Sequence, residues 1–276
     1  MACANPNLQN QPTRTEIGKR IRECFIPEEG NLLGEADFSG IEMRVLAEFS
    51  EDVRMTGVFL SGEDIHTQTA CWMFGIDEAE VLSDEMKYRY PAKRIGFGVA
   101  YGIGASALAD QMEVAGLEGW TVDRCQEAID EWFGIFQGVW EYKQRVYSEI
   151  RRFGAVRDFM GRLRLIPEVR SLNAGVVDAG LREGFNMPIQ GGAAEVMKQA
   201  LARVWEWICA GRAPVRPLML VHDSLLFELP DDRRKGLRAK KIARIMEGAG
   251  KELGFKLPLP VDVKLGESWG RMGGRQ

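Results

Sequence analysis

Residues 218–227 read Leu-Met-Leu-Val-His-Asp-Ser-Leu-Leu-Phe, a polar triplet set between two apolar runs. Apolar runs of this length on both sides of a short polar break predict two buried strands joined by a tight turn. Asp223 then lies at the turn, beside apolar surface. A carboxylate in that setting has to accept hydrogen bonds, reach solvent at the tip of the turn, or bind a cation. Taken alone, Asp223 is better interpreted as an ordinary aspartate in a hairpin turn.

A second aspartate raises the same choice. Residues 37–42 read Asp-Phe-Ser-Gly-Ile-Glu and follow a short apolar strand predicted from Asn31 to Ala36, so Asp37 lies where a strand ends. The helical spacing of the apolar residues that follow it is seen at Ile41, Val45, Leu46 and Phe49. Aspartate is common where a strand turns into a helix. Two such aspartates could instead share divalent metal ions, as transfer of a nucleotide from its triphosphate requires.

Between the two aspartates lies a basic and aromatic series with a spacing of four, which we call the ladder: Arg89, Lys93, Phe97 and Tyr101. Four residues advance an α-helix by about 400°, so successive members are displaced by only about 40° and can share one broad face. A different, apolar face then contains Ala92, Ile95, Val99 and Ile103. Pro91 favours a first helical turn and can leave Arg89 outside the regular helix. The alternative is a packed glycine-rich helix with a solvated arginine and lysine.

Composition predicts a folded protein of a reducing compartment. The 276 residues are 45% hydrophobic, enough for a sizeable core, and the five cysteines are scattered without a C-x-x-C pair. The first residues are polar, and no apolar run approaches the roughly 18 residues of a membrane span. We therefore expect a cytoplasmic location and no disulfide framework, zinc site or membrane association.

The net charge of −4 argues against a surface that attracts nucleic acid everywhere, so recognition of such a partner has to be local. Basic residues do cluster in the segments 14–22, 151–170 and 233–244. A solvated helix face is nevertheless the commoner meaning of such a run.

The order of predicted elements favours an α+β fold. A strand and a helix, up to about Ser50, precede a mainly helical stretch of about Asp52 to Gly184 with a small hairpin at residues 156–166. A helix from about Glu183 to Ala210, two strands, a charged helix and a final strand near Val261 to Leu265 follow. Strands at both ends around a helical middle predict an α+β core with a helical insertion.

Together these stretches resemble the C-terminal part of the polymerase domain of family A DNA polymerases, the group of bacterial DNA polymerase I and phage replicases. The similarity runs from Pro6 to Trp269 and includes five family motifs in the family's order. They are Asp37–Arg44 (motif A), Asp64–Thr67, Arg89–Gly102 (motif B), Asn186–Gly191 and Val221–Asp223 (motif C).

The resemblance implies an antiparallel palm sheet with a large helical fingers insertion. Residues 1–51 would form the first palm segment, residues 52–184 the fingers and residues 185–276 the second palm segment. The implied activity is that of a DNA-templated DNA polymerase, which transfers a nucleotide from a dNTP to a primer 3′-hydroxyl. Primer-template DNA and dNTPs are therefore the expected partners.

The resemblance also assigns residue roles. Asp37 and Asp223 would hold two Mg²⁺ ions, for which Mn²⁺ can substitute, and Lys93 would protonate the pyrophosphate leaving group. The implied dNTP contacts are Arg89, Lys93 and His66 at the phosphates, Phe97 and Tyr101 near the base and template, and Glu42 where a ribose 2′-hydroxyl would lie. The implied contacts to the DNA minor groove or primer end are Arg182, Asn186, Gln190 and His222.

Several of these residues have plainer interpretations. His66 follows Asp64 near a helix start and can belong to a helix cap, and residues 186–188 can be a turn before a helix. The spacing of four between Arg182, Asn186 and Gln190 occurs on any polar helix face.

Three residues depart from the family pattern: Gly40 replaces the usual Gln, Gly96 a frequent Asn, and Ser224 the Glu that usually ends motif C. A His-Asp-Ser motif C and a Ser-Gly-Ile run in motif A are also seen in single-subunit, phage-type RNA polymerases, the alternative family. Glu42 and Phe97 favour deoxynucleotides, because that family lacks the ribose-blocking glutamate and differs at the phenylalanine position.

The family's thumb, the first part of its palm and any 3′–5′ exonuclease would lie before Asn5, so we expect these parts to be absent. Without the thumb, this chain alone should bind DNA weakly. We favour half of a split polymerase that needs an N-terminal partner chain, over an excised or degenerate fragment or a compact variant. Cys3 permits a trans-splicing origin, although a lone cysteine usually has no such meaning. The competing class is a non-catalytic remnant that binds DNA or a partner. The expected location is the cytosol of a bacterial or phage-infected host cell.

Overall fold

The computed structural model describes residues 16–211 and 213–273. Cys3, Arg14 and the part of the family match that begins at Pro6 lie outside these ranges, as does the start of the predicted segment 1–51. The helices in the described ranges are α1 (Glu16–Glu23), α2 (Ile41–Ser50), α3 (Val53–Ser61), α4 (Ile65–Phe74), α5 (Glu78–Ser83), α6 (Arg89–Ala100), α7 (Ala105–Val114), α8 (Val122–Ile135), α9 (Gln137–Phe153), α10 (Ala174–Gly211) and α11 (Lys235–Glu252). The strands are β1 (Asn31–Phe38), β2 (Ala155–Arg157), β3 (Leu163–Leu165), β4 (Arg216–Val221), β5 (Ser224–Pro230), β6 (Val261–Gly266) and β7 (Met272–Gly273).

The predicted α+β architecture is confirmed. Five strands form an antiparallel sheet in the order β4-β5-β1-β6-β7, so β1, the first strand in the described ranges, is central. Gly34 on this central strand is required by close packing, because a Cβ atom there would lie 2.3 Å from the Phe227 ring. The long helical insertion lies between β1 and β4 in the sequence.

The chain divides into two compact units. The sheet unit comprises residues 1–41 and 193–276, and the helical unit comprises residues 42–192. The sequence-based division into palm and fingers differs from these limits, since it was placed after residues 51 and 184. The names palm and fingers for the three predicted segments stay predictions.

The helical unit is built around the apolar face of α6. Ala92 and Ile95 are fully buried, and Val99 is nearly so, as the ladder spacing predicted. Trp132 of α8 is also fully buried, with its ring centroid 4.6 Å from that of Phe136. The predicted hairpin is confirmed as β2 and β3, which pair antiparallel.

Two helix boundaries differ from the sequence-based expectation. Helix α6 begins at Arg89, so Pro91 occupies its third position, where the first backbone N–H groups of a helix have no intrahelical partner. Arg89 is therefore inside the helix, and Tyr101 instead is the residue beyond its end. Helix α10 begins at Ala174 and contains Pro188. Residues 186–188 are thus helical, and their interpretation as a turn was wrong.

Hydropathy along the helices adds one finding. In the described ranges, none of the helices combines the length and the apolar character that crossing a membrane requires.

Candidate active site

The acidic pair, Asp37 and Asp223, is formed where two antiparallel strands meet in the sheet unit. Asp37 is the penultimate residue of β1 and lies directly opposite Ser224, the first residue of β5. The Phe38 N–H donates to the carbonyl oxygen of Asp223 at 3.1 Å, which anchors the β4–β5 turn to the end of β1. Both carboxyl groups are half-buried, and their side chains lie within hydrogen-bonding reach of each other.

Crowding of negative charge dominates the chemistry of the acidic pair. Burial, followed by the charges of Asp223 and Glu35, raises the pKa of Asp37 from 3.8 to about 7. Burial also raises the pKa of Asp223. Two carboxyl groups held this close cannot both carry an uncompensated charge cheaply, so they retain a proton near neutral pH or bind a cation.

Further charged residues surround the acidic pair, and the sequence reasoning missed them. Asp37 pairs across the sheet with Asp262, and Glu35 pairs with Lys264. Residues opposite each other on neighbouring strands point to the same face, so these four charges share one face. The alternation of Glu35 and Asp37 was readable in the sequence, whereas the strand register was not.

Among the described residues, no group of three or more His, Cys, Asp or Glu side chains is arranged to hold a metal ion. The acidic pair itself offers two carboxylates.

The turn that carries Asp223 has an unusual backbone. His222, its first residue, has a φ of 54° and is exposed. Positive φ at the first turn position is typical of a type II′ hairpin turn, where glycine is the usual residue. Ser224 follows the turn and stabilises it, since its buried hydroxyl donates a hydrogen bond to the Val221 carbonyl oxygen at 3.1 Å. The residue that replaces the family's motif C glutamate thus has a structural contact of its own.

The ladder forms one face in the helical unit, continuing past the helix end. Arg89, Lys93 and Phe97 are in α6, and Tyr101 is its C-cap residue. The Phe97 and Tyr101 rings are stacked with centroids 6.5 Å apart, and Lys93 Nζ lies 5.9 Å from the Phe97 centroid. Lys93 is exposed, so its ammonium group can meet a ligand.

His66 of α4 packs against the ladder. Its ring centroid lies 5.2 Å from that of Phe97, and the side chain is buried. Burial, with a smaller contribution from Lys93 and Arg89, lowers the pKa of His66 from 6.5 to about 4. His66 is therefore neutral at physiological pH, and the capping oxygen of α4 comes from Asp64 rather than from His66.

Glu42 connects the start of α2 to the end of the ladder. The Tyr101 hydroxyl donates a hydrogen bond to the Glu42 carboxylate. This contact places a carboxylate beside the exposed aromatic side chain that ends the ladder.

Three polar residues predicted to contact DNA lie in the interior of α10. Arg182 and Asn186 are half-buried and Gln190 is exposed. Gly102, with a φ of 72°, packs on Arg182, because a Cβ atom there would lie 2.9 Å from Arg182 Cβ. The end of the ladder and Arg182 are thereby brought together. Asn186 Oδ1 is buried without a hydrogen-bond partner among the described residues.

The predicted site residues fall into both units. Three belong to the sheet unit: Asp37, His222 and Asp223. Nine belong to the helical unit: Glu42, His66, Arg89, Lys93, Phe97, Tyr101, Arg182, Asn186 and Gln190. In the sheet unit, the structure brings the two aspartates close together. In the helical unit, it brings the ladder into contact with His66, Glu42 and Arg182.

The family model described as DNA polymerase family A matches residues 1–271. The chain belongs to DNA polymerase family A.

Individual relatives agree. The chain is 39% identical to the thermostable DNA polymerase I of Thermus filiformis, over 98% of this chain and 30% of that protein. It is 37% identical to DNA polymerase I of Deinococcus radiodurans, over 98% of this chain and 27% of that protein. The chain therefore spans less than a third of the length of these curated relatives.

A solved structure shows the same fold. The POL domain of Pol1 from M. smegmatis, in complex with DNA primer-template and dNTP, matches with a TM-score of 0.86 and 35% identity. The match covers 98% of this chain and 45% of that chain.

Proposed function

We propose that this chain carries the nucleotidyl-transfer centre of a DNA-templated DNA polymerase that uses dNTPs. The observation that carries the proposal is the acidic pair, two carboxyl groups within hydrogen-bonding reach at adjoining strand ends. Family membership supports the activity, and the likeness to a POL domain in complex with DNA primer-template and dNTP supports the substrates.

Asp37 and Asp223 would hold two Mg²⁺ ions, or Mn²⁺ in their place. Carboxylate oxygens are the ligands that such hard cations prefer, and the crowded negative charge of the pair favours a divalent cation. When bound, these ions would activate the primer 3′-hydroxyl and neutralise triphosphate charge.

The ladder and its neighbours would position the dNTP, since nucleotidyl transfer depends on orientation and charge neutralisation. Arg89 and Lys93 would contact the triphosphate, and the exposed Lys93 ammonium could give a proton to the pyrophosphate leaving group. Neutral His66 would bind a phosphate oxygen by hydrogen bonding rather than by charge.

The stacked rings of Phe97 and Tyr101 offer a flat apolar surface to a base. Glu42, held by Tyr101, would occupy the space of a ribose 2′-hydroxyl.

Arg182, Asn186, Gln190 and His222 would contact the minor groove or the primer end. The unpartnered Asn186 oxygen supports such a contact, because a buried polar atom gains most from a partner that arrives with the ligand. These contacts would read shape rather than sequence. The bacterial relatives support a cytoplasmic location in a bacterial or infected cell.

Primer extension tests the proposal. Asp37→Ala and Asp223→Ala should each abolish extension of a labelled primer with dNTPs and Mg²⁺. The assay is run with and without an N-terminal polymerase chain, which tests the proposed partner at the same time. Asp77→Asn is the matched control, because Asp77 is an acidic helix cap of α5 and an asparagine can also cap.

The outcomes separate the claims. Full activity in either alanine variant would remove the metal assignment. Extension that needs the added chain would support a split polymerase, and extension only with ribonucleotides would favour the RNA polymerase alternative. Loss of Mg²⁺ or Mn²⁺ binding by Asp37→Asn and Asp223→Asn, measured by calorimetry without DNA, gives a readout of the metal site besides activity.

A further inference from the structure

Asp64 is the centre of a hydrogen-bond network that joins α4 to the start of α6. Its Oδ1 atom accepts from the Thr67 N–H at 2.8 Å and from the Thr67 hydroxyl at 2.9 Å, which caps α4. The same carboxylate accepts from Arg89, from Nε at 3.1 Å and from Nη2 at 2.9 Å. One side chain thus caps the helix of His66 and binds the first residue of the ladder.

The contact uses one edge of the Arg89 guanidinium. Arg89 Nε also donates to the Thr67 hydroxyl, at 3.2 Å, so this edge is held by the N-cap residue of α4 and by Thr67 in its first turn. Nη1 lies 3.8 Å from Glu85, too far for a hydrogen bond. A guanidinium group has five N–H donors in a fixed plane, so its Nη1/Nη2 end can meet an anion while the Nε/Nη2 edge stays bound.

We propose that Asp64 is a positioning residue for triphosphate binding. It holds the Nε/Nη2 edge of the Arg89 guanidinium and so directs the Nη1/Nη2 end toward the phosphates that His66 also contacts. This inference rests on the proposed function, in which Arg89 and His66 are phosphate contacts. Preorganisation is the advantage, since an arginine whose orientation is already set loses less side-chain entropy on binding.

Asparagine at position 64 separates the two roles of Asp64. Asn is as good an N-cap as Asp, so Asp64→Asn keeps the cap of α4 while removing the charge and weakening the grip on Arg89. Asp64→Ala removes both roles. Asp77→Asn is the matched control, because Asp77 caps α5 through the Glu80 N–H in the same way.

Two measurements are made on the full chain. Calorimetry follows binding of a dNTP with Mg²⁺ and of inorganic tripolyphosphate, and NMR follows exchange of the Arg89 Nε–H with solvent. We expect Asp64→Asn to weaken the binding of both ligands by about fivefold, which is the effect expected from loss of a partly exposed ion pair. The Nε–H of Arg89 should also exchange faster with solvent. The thermal midpoint should stay close to that of Asp77→Asn, and Asp64→Glu should restore part of the affinity.

Failure of the positioning role can be distinguished from failure of the proposed function. If Arg89→Ala weakens triphosphate binding while Asp64→Asn binds as tightly as the unchanged protein, the positioning role is wrong and the proposed function stands. If Arg89→Ala also binds normally, the phosphate assignment of Arg89 fails, and the inference fails with it. Unchanged Nε–H exchange in Asp64→Asn would by itself overturn the claim that Asp64 orients Arg89.

Discussion

His66 contributes to stability only while its buried ring is uncharged. Its pKa is about 4 in the folded protein and 6.5 in an exposed reference state. As pH falls below about 6.5 the unfolded chain binds a proton that the folded chain does not, so unfolding becomes more favourable. The contribution is complete above pH 6.5 and is lost as the pH approaches 4, by about 3 kcal/mol at most.

We therefore predict that the free energy of unfolding falls between pH 7.5 and pH 4.5 partly through His66. In His66→Gln this fall should be smaller, as measured by urea denaturation at both pH values. The chain has one other histidine, so His222→Gln is the control. Equal pH dependence in the unchanged protein and His66→Gln would contradict the assignment.

Glu42 is the residue whose proposed role concerns the sugar. Glu42→Ala removes the carboxylate that Tyr101 holds, so ribonucleotides should be incorporated more readily relative to deoxynucleotides. Tyr101→Phe, which removes only the hydrogen bond, should change the ratio in the same direction by a smaller factor. Competition primer extension measures the ratio, and an unchanged ratio in Glu42→Ala would exclude the role.

For individual residues, the sequence identified site residues that have a diagnostic flanking pattern. It missed site residues that are defined only by their tertiary contacts. Asp37 and Asp223 were found because each follows an apolar strand. Asp262 and Lys264 were not, because cross-strand register depends on which strands pair. Asp64 was seen only as part of a motif, since its ion pair with Arg89 joins the N-cap of α4 to the first residue of α6.

Among the elements, helix α6 contains two glycines that differ in how closely they are packed. A Cβ atom at Gly96 would make ordinary contacts, 3.5 Å from Trp132 Nε1 and 3.6 Å from Met43 Cε. A Cβ atom at Gly98 would lie 2.5 Å from Ile103 Cγ2. Only Gly98 is required by close packing.

The two glycines therefore predict opposite effects. Gly96→Ala should stabilise the protein by up to about 1 kcal/mol, the helix-propensity difference between the residues. Gly98→Ala should destabilise it by about 1–3 kcal/mol, because Ile103 must move. Thermal unfolding of both variants checks the contrast, and the same sign in both would show that α6 tolerates glycine for another reason.

Helix and strand identities were largely predictable because their periodicities differ, as in β1, α2 and the β2–β3 hairpin. Boundaries were harder. Pro91 was expected in a first helical turn that could leave Arg89 outside the helix, yet α6 begins at Arg89. Pro188 suggested a turn before a helix, yet it lies inside α10. Tertiary packing can outweigh the local cost of a proline, and that packing is not visible in a single sequence.

On the scale of the whole molecule, the two compact units differ in how their sequence is arranged. The helical unit is one continuous segment, residues 42–192. The sheet unit is discontinuous, and its central strand β1 pairs with β5 and β6, which lie about 190 or more residues later. Contacts of such sequence separation carry a large loop-closure cost and form slowly.

We predict that, when the full chain refolds, the helical unit forms before the sheet unit. Amide protons of α4, α6 and α8 should become protected before those of β1, as measured by pulse-labelling hydrogen exchange. Simultaneous protection of all four elements would show that the two units fold as one cooperative step.

The central position of β1 also has a consequence for synthesis in the cell. Ser224, the residue opposite Asp37 on β5, is translated 187 residues after it. A product of premature termination between Tyr101 and β5 would contain the whole ladder and lack the partner carboxylate Asp223. The acidic pair can therefore form only after the β4–β5 turn has been synthesised, so translation products that stop before this turn lack it.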